Sequence, residues 1–219
     1  VILKHNPDHL FAKKQLRKLQ RGLPQNQSVE TETSSPSQDQ INSLVNLFHS
    51  GQMTKTEQAC RELLNTYPQT LVAINVLGAI LQVQGKLQEA VQAYDRAIQL
   101  KPDYALVHYN LGNTLQELGR SKDAEASYRK AIALKADFAE AHSNLGITLQ
   151  ELGRSKDAEA SYRKAIALKA DYAEAHYNRG NALKDLWQLD EAVASYDKAI
   201  QHKPDLTEAF NNRGTTLVA

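Results

Sequence analysis

A stretch of 24 residues, TLQELGRSKDAEASYRKAIALKAD, occurs twice without a single difference, at Thr114–Asp137 and at Thr148–Asp171. The two copies are offset by 34 positions, and a looser version of the pattern continues at that offset on both sides. A chain with this period is one supersecondary unit stacked on copies of itself, because a single unit cannot bury its apolar face alone. In register, Gly78, Gly112, Gly146, Gly180 and Gly214 share one position and Ala90, Ala124, Ala158 and Ala192 another. Tyr94, Tyr128, Tyr162 and Tyr196 form a third, and Ala97, Ala131, Ala165 and Ala199 a fourth. Pro68, Pro102 and Pro204 close three units, with Ala136 and Ala170 in that slot of the identical pair.

This pattern resembles the tetratricopeptide repeat family, whose unit has the same length and carries Leu-Gly, Ala, an aromatic residue, Ala and Pro at these offsets. The resemblance covers about residues 37–219 and implies an all-α fold, a right-handed α-solenoid of stacked helix-turn-helix units. Units are expected at 37–70, 71–104, 105–138, 139–172 and 173–206, with a truncated one from Thr207. The first, with Leu44, Leu47, Gly51, Cys60, Leu63 and Pro68 at family positions, diverges as a solvent-facing cap does.

Composition agrees with helices: 42% of the residues are hydrophobic, much of that Ala and Leu, and only 6% are aromatic. The single cysteine, Cys60, excludes an internal disulfide framework and any Cys-based metal cluster. The most apolar run, Leu71–Val83, is too short for a membrane span and is broken by Asn75, Gly78 and Gln82. The net charge of +1 conceals an asymmetry, since residues 1–21 hold six Lys or Arg against one Asp. That segment reads as a partial, degenerate helical unit with a solvated basic face at Lys13, Lys14, Arg17, Lys18 and Arg21, and residues 22–36 as a flexible linker. The sequon at Asn26-Gln27-Ser28 is read as chance. Neither nucleic acid nor a membrane is expected as a partner, and the expected location is cytoplasmic. A first residue other than Met and a last unit that stops within its first helix point to a fragment of a longer chain.

Within the unit 105–138, helix A is expected from about Ala105 to Leu118 and ends at Gly119, a residue suited to left-handed geometry. Ser121 is the expected cap of helix B, with Asp123 and Glu125 at the positive end of its dipole, and helix B runs to about Leu134. Helical periodicity puts Val107, His108, Leu111, Gly112 and Leu115 on a packing face. Leu106, Tyr109, Asn110, Asn113, Gln116 and Glu117 fall on the opposite side.

Catalytic signatures are absent, so this chain is not read as an enzyme, and no cofactor is expected. His108, His142 and His176 recur as one structural position; on stacked helices they stand about 8–10 Å apart, too far to share a metal ion. The informative row is Asn110, Asn144, Asn178 and Asn212, preceded by Val76 and by Asn42 in the divergent unit. An amide offers both a donor and an acceptor, so such a row suits the N–H and C=O groups of an extended peptide. The alternative is local hydrogen bonding within the Asn-Leu-Gly motif. Four amides at about 1 kcal/mol each give little affinity alone, and Tyr109, Tyr177, Asn113 and Asn181 are candidate additional anchors.

The row is similar to the asparagine ladder in the repeat arrays of O-linked N-acetylglucosamine transferases, which implies a concave groove holding an extended polypeptide. A different branch of the family clamps acidic tails with Lys and Arg, but here the equivalent positions hold Leu106, Glu140, Glu174 and Glu208, then Tyr109, Ser143, Tyr177 and Asn211. Neutral or basic ligands are therefore expected. Arg179 and Arg213 replace the Leu of Leu-Gly, with stems expected to pack and guanidiniums to reach solvent, the alternative being ligand contacts, and Trp187 stands where other hairpins have Gly, as a cap over the turn or an exposed anchor. The leading reading is a protein-interaction scaffold. The alternative is a substrate-presenting arm of a larger glycosyltransferase or sulfotransferase, and self-association through repeat ends is a third possibility.

Overall fold

The structure, a computed structural model, describes residues 35–218. The expected degenerate unit at 1–21, and the expected linker at 22–36 apart from Ser35 and Pro36, lie outside the described residues. Among the described residues there are eleven helices and no strand. They are α1 (Gln38–His49), α2 (Met53–Thr66), α3 (Leu71–Val83), α4 (Leu87–Leu100), α5 (Ala105–Glu117) and α6 (Ser121–Leu134), followed by α7 (Ala139–Glu151), α8 (Ser155–Leu168), α9 (Ala173–Asp185), α10 (Leu189–His202) and α11 (Thr207–Leu217). No described helix is long and apolar enough to cross a membrane.

The chain divides into two compact units between Thr114 and Leu115, inside α5. In the first, α1 packs on α2 and α3, α2 on α3, and α3 on α4. In the second, each helix from α6 to α11 packs on the next, and α9 also touches α7 and α11 across the intervening helix. Within each unit, helices thus cover one another's apolar stripes, as a stacked repeat requires.

The repeated Ala and Tyr positions are the core. Ala90, Ala124, Ala158 and Ala192, Ala97, Ala131, Ala165 and Ala199, and all four tyrosines are completely buried. The repeated glycine is explained by its tyrosine. A Cβ added to Gly146 would stand 2.5 Å from Cε1 of Tyr162, and one added to Gly180 would stand 2.5 Å from Cε1 of Tyr196. Helix A presents bare backbone to the ring, and any side chain there would occupy the ring's space.

Five hairpins turn in the same way, the first at Gly51 with φ of 73° and the Gln52 N–H reaching the Leu47 carbonyl at 3.3 Å. Gly85, Gly119 and Gly153 have φ of 74°, 71° and 73°, and Trp187 takes the same left-handed conformation at 58°. The following N–H in each case reaches back to close the helix: Lys86 to the Leu81 carbonyl at 2.8 Å, Arg120 to Leu115 at 2.8 Å, Arg154 to Leu149 at 2.8 Å and Gln188 to Leu183 at 2.9 Å. The Trp187 side chain is 81% exposed, so it is not a cap over the turn. A Cβ in this region costs about 1–2 kcal/mol, against which glycine's greater unfolded-state freedom is set. Trp187→Gly is therefore expected to stabilise the chain by about 0.5–1 kcal/mol, read as a higher urea midpoint. An unchanged or lower midpoint would show that the indole makes compensating contacts.

Ser121 does not cap helix B. It is the first helical residue, Arg120 precedes it without a side-chain capping bond, and its hydroxyl donates to Oε2 of Glu151 at 3.0 Å. Glu125 likewise turns from the helix end to arginines, as described below. The serine hydroxyl is drawn away because the next repeat supplies a stronger, charged acceptor. The two identical stretches build the same relay: Tyr128 donates to Gln116 and Gln116 to Glu151, while Tyr162 donates to Gln150 and Gln150 to Asp185. Ser155 also donates to Asp185, at 3.3 Å.

Candidate peptide-binding surface

The asparagine register runs along the odd-numbered helices, with Asn42 on α1, Asn110 on α5, Asn144 on α7, Asn178 on α9 and Asn212 on α11, and Val76 in its place on α3. In the first unit Asn110 is interior: it is 2% exposed and donates from Nδ2 to Oδ1 of Asn75 at 3.1 Å. Tyr109 and Asn113, with 5% and 6% exposure, are buried as well. The expected outward face of α5 is therefore not an open surface at Leu106, Tyr109, Asn110 or Asn113. Helical periodicity separates two sides of a helix but does not say how many of them are covered.

In the second unit Asn144, Asn178 and Asn212 sit on α7, α9 and α11, all half-buried. Here the structure brings several candidates together. Asn212 donates from Nδ2 to the Tyr177 hydroxyl at 3.1 Å and to Oδ1 of Asn181 at 2.9 Å, and Oδ1 of Asn181 also accepts from the Tyr196 hydroxyl at 2.8 Å. The reason lies in one substitution between repeats. Tyr128 and Tyr162 donate to Gln116 and Gln150, but the corresponding residue for Tyr196 is Lys184, whose ammonium cannot accept. Tyr196 turns to Asn181 instead, and burial, together with the neighbouring Tyr177 hydroxyl, pushes its own hydroxyl up to about 12. The network engages Oδ1 of Asn181 and Nδ2 of Asn212. It leaves Asn181 Nδ2 as a donor and Asn212 Oδ1 as an acceptor, and the whole Asn178 amide makes no hydrogen bond.

The acidic side chains along this row differ in how they are engaged. Glu174 pairs with Lys203 at 3.0 Å, and Glu208 is exposed. The histidines are tethers: Nε2 lies 2.8 Å from the Pro102 carbonyl for His108, 3.1 Å from Ala136 for His142 and 2.9 Å from Ala170 for His176. Each pins the start of a helix A to the loop before it. Burial holds His142 and His176 below the ordinary histidine range, so they are neutral near pH 7. No group of His, Cys, Asp and Glu that could hold a metal ion exists among the described residues.

Between successive repeats a glutamate is clasped by cations. Glu57 accepts from Gln84 at 2.9 Å and pairs with Arg61 and Lys86; Glu125 pairs with Arg129 and Arg154; Glu159 accepts from Nε of Arg179 at 2.8 Å. Lys86 and Arg154 share a register whose next member is Gln188, an uncharged residue. Arg179 takes over from it, which corrects the expectation that its guanidinium reaches solvent: Nη1 also donates to Ser195 at 3.2 Å. Arg213 pairs with Asp197. These exchanges between different repeats have no signature within any single unit, and the sequence reading missed them.

The TPR repeat family matches residues 78–119, 117–153 and 151–186, and the tetratricopeptide repeat residues 173–206. The chain belongs to the tetratricopeptide-repeat family. Among solved structures it is similar to YrrB, described as a TPR protein with an unusual peptide-binding site, with 19% identity, 93% of this chain and 99% of that one covered, and a TM-score of 0.70. MamA is similar at 22% identity, covering 75% of this chain and 96% of the other, with a TM-score of 0.69. The first TPR of Spaghetti (RPAP3), solved bound to the HSP90 peptide SRMEEVD, shares 27% identity over 51% of this chain and 89% of its own, with a TM-score of 0.51. No curated protein matches. The matches establish the repeat family and its fold.

Proposed function

We propose that this chain is a protein-interaction scaffold whose second unit holds an extended polypeptide along α7, α9 and α11, with no catalysis of its own. The observation that carries this reading is the set of free amide atoms at Asn181 and Asn212, fixed in place by Tyr177 and Tyr196, beside the free amide of Asn178. An amide whose other half is already bonded is held in one orientation, so less rotamer entropy is lost when a peptide N–H or C=O meets it. Asn144 continues the row by one repeat, and the exposed Glu208 favours neutral or basic segments. Peptide recognition by YrrB and by the RPAP3 repeat shows what the fold class accommodates. The buried Tyr109, Asn110 and Asn113 serve as support in this reading, not as contacts.

The test is a peptide array of unstructured decapeptides probed with the wild-type chain and with the triple variant Asn144→Ala, Asn178→Ala, Asn212→Ala. At about 1 kcal/mol per amide, the variant is expected to lose on the order of a hundredfold in affinity for captured peptides, with its circular dichroism unchanged. Capture of the same peptides at equal strength by the triple variant would sink this reading.

A further inference from the structure

A second site lies elsewhere in the same unit. Between α6, α7 and α8 runs a furrow of about 510 Å³, within the size range of ligand pockets. Its floor is apolar, formed by Ile132, Leu145 and Leu149, and its rim carries Arg129, Arg154 and Lys164 with one carboxylate, Asp157. On α7 the floor residues Leu145 and Leu149 are turned more than a quarter-turn from Asn144, so the furrow is separate from the amide row. Arg154 is fully engaged with Asp157 and Glu125, and Arg129 with Glu125, but Lys164 makes no ion pair.

The neighbouring repeats show what this position does when it is closed. One repeat on, Arg179 stands in the register of Leu145, lies across the equivalent floor and reaches Ser195, which is 2% exposed. Ser161, the counterpart of Ser195 beside the open furrow, remains half-buried and makes no hydrogen bond. In the first unit the same register forms a furrow of only about 200 Å³, where Arg61 pairs with Glu57 and Glu89 and Arg96 donates to the Pro68 carbonyl. Unlike these two neighbouring registers, the 129–164 furrow combines an apolar floor, room for a side chain and an unpaired cation.

We infer that this furrow is a docking site for an acidic peptide segment of a protein partner, with a large apolar side chain on the Leu145–Leu149 floor and an adjacent carboxylate on Lys164 and the outer edge of Arg129. The charge at its rim is opposite to that of the exposed Glu208 on the amide row, so the two sites select different segments. Arg179 shows that the equivalent floor accepts a side chain as long as arginine. The apolar contact supplies burial, and Lys164 supplies the sign of charge that is accepted.

The experiment is fluorescence anisotropy with a fluorescein-labelled Glu-Leu-Glu-Phe-Glu-Leu-Glu peptide, a version with Lys for each Glu, and one with Ala for Leu and Phe. Wild-type protein is expected to bind the first saturably, and the other two at least about tenfold more weakly. Lys164→Glu, an exposed change that leaves packing intact, is expected to weaken binding about tenfold, and Leu145→Arg, which imports the side chain that closes the next furrow, by a similar factor. The pair Arg179→Leu, Gln188→Arg opens that next furrow while keeping a cation for Glu159, and is expected to add one peptide per chain. No saturable binding to wild type, or binding unchanged within about twofold by both Lys164→Glu and Leu145→Arg, overturns the site. Loss of binding in the Asn144, Asn178, Asn212 triple variant with these two silent would instead place the acidic peptide on the amide row.

Discussion

Gly146→Ala is expected to destabilise the chain by about 1–3 kcal/mol, although alanine is the better helix former by about 1 kcal/mol. The added methyl group would stand 2.5 Å from Cε1 and 2.8 Å from Cδ1 of Tyr162, a ring that is completely buried and whose hydroxyl is held by Gln150. The ring has nowhere to swing, so α7 and α8 must separate, and the relay from Gln150 to Asp185 loosens with them. Gly214→Ala serves as the control. That glycine occupies the same register on α11 with nothing within 4 Å of the added atom, so its replacement is expected to be neutral or to stabilise by up to about 1 kcal/mol. Urea unfolding followed by circular dichroism reads both. Combining Gly146→Ala with Tyr162→Leu should cost less than the sum of the two single changes, because the smaller side chain vacates the space the methyl group needs. Additive costs would show that the glycine matters for some reason other than the ring.

The second large effect is electrostatic. Arg179→Leu is expected to cost about 1–3 kcal/mol, since it strips a partner from Glu159, whose side chain is only 15% exposed. Leucine is what the register holds at Leu111 and Leu145, so the loss is not one of packing. Adding Gln188→Arg is expected to restore most of it, by giving Glu159 the contact that Arg154 gives Glu125 at 2.8 Å. Failure of that rescue, measured by the same unfolding curves, would mean that Arg179 acts through Ser195 or through its stem instead.

How much could be read without coordinates follows from where each interaction closes. Sequence alone determined the repeat, the helical hairpin, the positions of the hairpin turns and the repeated core positions, because glycine, alanine and tyrosine recurring at one offset are local demands that every copy must meet. It also picked out Tyr177, Asn178, Asn181 and Asn212 as candidates, since a register of amides is visible as a register. Tertiary structure alone decided which of these amides are open. Asn110 and Asn178 share one register, yet Asn110 is buried against Asn75 and Asn178 keeps its amide free. The same holds for the arginines. Whether a guanidinium at position 179 meets solvent or a carboxylate depends on Glu159 in the repeat before and on Gln188 in the hairpin after it. Periodicity fixes what one unit contains, whereas exposure and charge pairing arise between units, where small departures from the repeat meet one another.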